Sequence, residues 1–283
     1  MSALFELIVN SIVDGELPRD FSLPSIDDGK IKWADGAMDG VTLYHMGTSA
    51  ADENELVLME QAVRATAEGN LEKSIELFTE LGKLKSALSL IDNLQQFIIE
   101  HQNELTARNV LVTSAKIVRQ SEDRECVKYG LAMLELFNIG KIEELISMVT
   151  TIGLSDEFTL FALFILLKLE DGNERIFELA KKVHGWGRIH AIERLEPSTD
   201  EIKNWILMEG VHNDILPAYS ALTCWNKANV AQIIKGDLSE DMVKGIKDII
   251  NGLLDEGPVA GCSTIKDWEE CLKIFEEKEK MYY

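Results

Sequence analysis

From Asp52 to the C-terminal end, apolar residues recur three and four positions apart, a spacing that restricts the chain to amphipathic helices packed on one another. The run Leu58, Ala62, Ala65, then Gly69-Asn70, then Ile75, Phe78 and Leu81 describes two antiparallel helices joined by a tight turn. Small residues at their contact let the two helices approach closely. Asp52 and Glu55 stand at the spacing of an N-cap and its N3 partner. Further helices are expected over 84–101, 104–120, 123–138 and 140–150. Five prolines in 283 residues are too few for a loop-rich β fold.

The second half repeats the pattern. A helix over 155–169 is apolar nearly all round, through Phe158, Leu160, Phe161, Leu163, Phe164, Ile165 and Leu166, and is expected in the middle of the array. Its partner covers 173–184, and a short helix over 187–196 ends at Pro197. Ser198 and Glu201 have capping-box spacing for the helix bearing Ile202, Trp205 and Ile206. Helices over 212–226, 228–235, 239–255 and 264–280 complete the chain, the third with a stripe of Met242, Ile246, Ile249, Ile250, Leu253 and Leu254. Helix pairs recurring roughly every 25–40 residues read as an all-α fold, an α-solenoid of stacked hairpins of the HEAT or armadillo kind; a compact bundle is the rival.

The N-terminal part departs from this. Residues 1–14 suit an amphipathic helix through Leu4, Phe5, Leu7, Ile8, Ile12 and Val13, a face suited also to a second copy. Ile31-Lys32-Trp33 and Val41-Thr42-Leu43-Tyr44 read as short strands around Asp35–Gly40, whose Asp-Gly dipeptides suit a tight turn. A small β-hairpin is expected there, folded back so that Trp33 and Tyr44 are buried, with Trp225 buried likewise. The domain division expected is 1–50 for this segment and 51–283 for the helical repeats, tetratricopeptide-like over 51–120 and HEAT-like over 121–283.

A formal charge of -21 repels polyphosphate, so neither nucleic acid nor an anionic membrane is expected as a partner. Cys126, Cys224, Cys262 and Cys271 form no C-x-x-C pair and read as reduced thiols, several in the core. The stretch Phe158–Leu167 has roughly half the length of a bilayer span, and Met1–Ile12 lacks a basic lead-in. A cytoplasmic protein is expected.

The segment His184–Leu195 and its continuation through Glu201–Leu207 and Glu209-Gly210 are distinctive. With Leu253–Pro258, Trp33–Val41 and Trp225-Asn226, they resemble a family of bacterial helical-repeat proteins of unsettled function, found in clostridia and bacilli, some labelled "limonene hydroxylase". The resemblance covers most of residues 20–260. It implies helical repeats and, through the label, an oxygenase with an apolar pocket between helices; it transfers no catalytic residues.

Hydroxylating an unactivated C–H bond needs haem iron, non-haem iron or a flavin. No cysteine has a haem-thiolate flanking pattern, and G-x-G-x-x-G is absent. Glu209-x-x-His212 alone has di-iron spacing, and Gly210 breaks the helix between them. No two of His45, His101, His184, His190 and His212 stand four apart, so each reads as a capping or hydrogen-bonded residue. No cofactor, metal or catalytic residue is expected. The candidate binding patch is Trp186, Arg188, His190, Glu193 and Arg194, with Ala191, Ile192 and Leu195 facing the core and His190, Glu193 and Arg194 on a polar face. Its alternative role is an ion-pair network at a joint between repeats. The function expected is a non-enzymatic scaffold for a protein or peptide partner; a small-molecule-binding protein or oxygenase is the alternative.

Overall fold

The computed structural model describes residues 2–24, 32–257 and 259–282, and these form an all-α protein. It divides into two compact units, Met1–Arg175 and Ile176–Tyr283. These limits do not coincide with the expected boundaries at 50 and 120, because the N-terminal segment is tied into the first unit by contacts given below.

The first unit holds α1 (Leu4–Ser11), α2 (Ala37–Val41), α3 (Glu53–Glu68), α4 (Leu71–Leu84), α5 (Ala87–Glu100), α6 (Ala107–Gln120), α7 (Arg124–Leu134), α8 (Glu143–Ile152) and α9 (Asp156–Leu166). The capping box at α3 forms as expected: Asp52 accepts from the Glu55 N–H at 2.9 Å, and Glu55 accepts from the Asp52 N–H at 2.9 Å. Gly69 closes α3 in the left-handed region (φ 79°) and Asn70 caps α4, so the two helices fold back on each other. At the centre lie α7 and α9, buried along nearly their whole lengths. The apolar run of α9 announced this; α7 reaches the same depth while carrying Lys128. Leu4 and Ile8 of α1 are buried, and the Leu4 N–H donates to the Ser121 carbonyl (3.0 Å). Part of that face is thus covered within the chain, while Val13 at its end is 61% exposed.

Among the described residues the expected β-hairpin is not found. Val41 ends α2, and Thr42–Met46 continue as a π-helical turn that Gly47 (φ 70°) terminates. Ile31 lies outside the described residues. Among the described residues the sole β pairing is an isolated bridge between Val13 and Glu16. Local β propensity was overridden by tertiary contacts that favour a helix at this point.

The second unit follows from within α10 (Gly172–Ala180) and contains α11 (Trp186–Arg194), α12 (Asp200–Glu209), α13 (Ala218–Ala228), α14 (Val230–Ile233), α15 (Glu240–Leu254) and α16 (Trp268–Glu279). Thr199, one residue beyond the expected Ser198, caps α12 by accepting from the Ile202 N–H (3.2 Å). The buried stripe of α15 is rotated slightly from expectation: Val243 is buried while Leu254 is 54% exposed. No helix among the described residues is long and apolar enough to cross a membrane.

Candidate functional site

In the first unit the residues before and along α2 form a strap, 32–47, that meets α7 and α9 through charged groups. Asp35 and Asp39 stand four apart, and so do Arg124 and Lys128 at the head of α7. The pairs meet: Arg124 reaches Asp35 Oδ1 at 2.8 Å, and Lys128 Nζ reaches Asp39 Oδ2 at 2.8 Å. Glu157 of α9 ties both cations together, at 3.0 Å from Arg124 and 2.7 Å from Lys128. It also accepts the Gly36 N–H (3.0 Å), which the positive φ of Gly36 (73°) presents. Glu125 adds a third carboxylate to Lys128 at 2.9 Å. Arg124 further donates to the Leu23 carbonyl (2.8 Å), and Asp35 accepts the Leu23 N–H (2.9 Å).

Four carboxylates thus share two cations, with Lys128, Asp39 and Glu157 the most deeply buried. Lys128 is 1% exposed and Asp39 2% exposed. Burial pulls the Lys128 ammonium down, but its three carboxylates outweigh that and hold it well above the usual lysine range. Burial also pushes carboxyls up, and the two central acids diverge under it. Glu157 has two cations and a backbone N–H, which together bring it below the usual carboxylate range. Asp39 has Lys128 alone, and burial, with Glu125 and Glu157 nearby, leaves it pushed up to about 6. Its one close partner is the Lys128 ammonium on Oδ2, and Oδ1 has no hydrogen-bond partner among the described residues. Burial raises Asp35 as well, against the Leu23 N–H and Arg124.

Beside this cluster opens a cleft of about 550 Å³, walled by Trp33 and Met38 of the strap, Leu84 at the end of α4, and the heads of α5 and α7. Trp33 is 40% exposed, contrary to the expected burial, Met38 36% and Leu84 57%. Gly82 sets the width of the α4–α7 approach, since a Cβ there would lie 2.6 Å from Glu125 Cβ. Glu125 also accepts the Ala87 N–H (2.6 Å) and so occupies the head of α5.

The expected patch on α11 lies in the second unit and is mostly interior. Ala191, Ile192 and Leu195 are fully buried as expected, but so are Trp186, Arg188 and His190. His190 does not lie on a polar face: it is 1% exposed, and burial holds its imidazole below the usual range. Trp186 packs on Tyr219 with ring centroids 4.9 Å apart. Arg188 donates to the carbonyls of Ala180 (2.8 Å) and Glu209 (3.2 Å), closing the C-terminal ends of α10 and α12, and lies over the Trp205 ring. Glu193 and Arg194 alone reach the surface, at a shallow depression beside Lys227. Lys227 donates to the Glu193 and Leu195 carbonyls (2.7 Å each) at the end of α11. Trp225 is buried against Trp268.

The other expected groups have local partners. His101 caps α5 through the Phe97 carbonyl (3.0 Å). Helix α12 stops at Glu209, and His212 stands between Glu209 (3.1 Å) and Asp248 (3.0 Å). Among the described residues no three His, Cys, Asp or Glu come together to hold a metal. Compared with protein families, curated proteins and solved structures, the chain matches none. The cleft and its charge cluster went unread in the sequence. The twin i, i+4 pairs Asp35/Asp39 and Arg124/Lys128 were the available signal.

Proposed function

We propose that the chain is a non-enzymatic helical-repeat scaffold for a protein or peptide partner, and that the cleft beside the strap receives an apolar side chain of that partner. The observation that carries this is the grouping of Trp33, Met38 and Leu84, each more than a third exposed, around one concave site rimmed by charge. An aromatic ring and a thioether offer adaptable apolar contact, and the surrounding lysines and carboxylates orient a peptide. The net charge of -21 turns polyanions away. The hairpins α3–α4 and α6–α7, each with a short connection, support the reading as stacked HEAT- or armadillo-like units with a tetratricopeptide-like first pair.

The test is selection of a displayed peptide library against the purified chain, followed by fluorescence anisotropy on the enriched peptides. Enriched sequences share an apolar anchor, and Leu84→Asp or Trp33→Ala weakens their binding about tenfold or more while circular dichroism is unchanged. Binding that is indifferent to both substitutions removes the cleft from the proposal.

A further inference from the structure

The strap brings two carboxylates to a set of groups that is already balanced. Without it, Arg124, Glu125 and Lys128 of α7 and Glu157 of α9 carry two positive and two negative charges, linked in a chain of ion pairs. Seating the strap adds Asp35 and Asp39 and removes their carboxylates from water. The cluster then holds two surplus negative charges, and Asp39 Oδ1 sits in it without a hydrogen-bond partner among the described residues.

We propose that seating of the 32–47 strap is coupled to proton uptake, so that the strap closes more firmly on α7 and α9 as the solution is acidified. The direction follows from linkage: whichever state binds protons more tightly is favoured when protons are plentiful. Asp39, seated, is pushed up to about 6, against about 3.9 for an aspartate in water, and Asp35 is raised in the same sense. Glu157 is held low and Lys128 high, so both stay ionised across this range, and the proton goes to the strap's own aspartates. Acid therefore tightens this contact, the reverse of the usual effect on a salt-bridged carboxylate. Because the strap carries Trp33 and Met38, the mobility of that wall of the cleft follows pH whether or not a partner is bound.

The experiment is amide hydrogen exchange of the full chain between pH 7.5 and 5, corrected for intrinsic exchange rates, with the amides of α6 as internal reference. Protection over 32–47 relative to α6 is expected to rise about fourfold by pH 5.5 and about tenfold by pH 5. In Asp39→Asn the rise is largely lost and protection at pH 7.5 is already high. Strap protection that stays constant in the wild-type chain overturns the proposal, as does an equal change in α6. A pH dependence that persists in full in Asp39→Asn overturns it too. The wild-type series decides the matter by itself should the variant fold poorly.

Discussion

Lys128 Nζ lies 2.7 Å from Glu157 Oε1, and neither side chain is more than 7% exposed. The pair joins the two most deeply buried helices of the first unit, α7 and α9, and serves as the base on which the strap is charged down. Charges this deep are tolerated because each has several partners; breaking one partnership strands the rest.

Lys128→Met tests that dependence. The substitution leaves four carboxylates with Arg124 alone and is expected to cost about 3–5 kcal/mol, read as a lowered urea midpoint. Adding Asp39→Asn to the same chain removes one stranded charge, so the double variant is more stable than the sum of the single effects allows.

Asp39→Asn alone runs the other way. A carboxyl raised in the folded state binds its proton more tightly there than in the unfolded chain, so its contribution to stability grows as pH falls through about 6 and is lost above it. The neutral amide is expected to stabilise the chain at pH 7.5 by on the order of 2–3 kcal/mol, a gain that roughly halves by pH 5. Denaturant midpoints of both chains at the two pH values measure it. A loss of stability at pH 7.5 would mean that the Lys128 pair outweighs burial.

In the second unit, Arg188→Met leaves the carbonyls at the ends of α10 and α12 without their buried donor and is expected to cost on the order of 3 kcal/mol. Arg188→Lys recovers only part of this, because an ammonium lacks the planar fork that reaches carbonyls on two helices and stacks on Trp205. Thermal unfolding of the two variants gives the ranking. Equal melting temperatures would reduce Arg188 to a packing residue.

The thiols give a test of burial that needs no variant. Cys126 and Cys224 are fully buried, and burial pushes each up to about 12. Cys262, only partly buried, is the accessible one. Titration of the native chain with a thiol-specific disulfide reagent at pH 8 is expected to label about one cysteine rapidly, the remainder reacting on addition of denaturant. Rapid labelling of Cys126 would contradict the packing of α7.

Features that depend on neighbours three and four residues away were legible before folding was considered. The Asp52–Glu55 box, the turn at Gly69-Asn70 and the stop of α12 before Gly210 are local, and each is found where the spacing put it. Trp186 and His190 show the limit of the same logic, since helical spacing names a face but not which way it turns. No local pattern foretold that Gly36 and Glu157, 121 residues apart, would meet, or that Lys128 would be buried. A buried charge and a surface charge look alike in a sequence. What separates them is the presence of partners that only long-range folding brings within 3 Å.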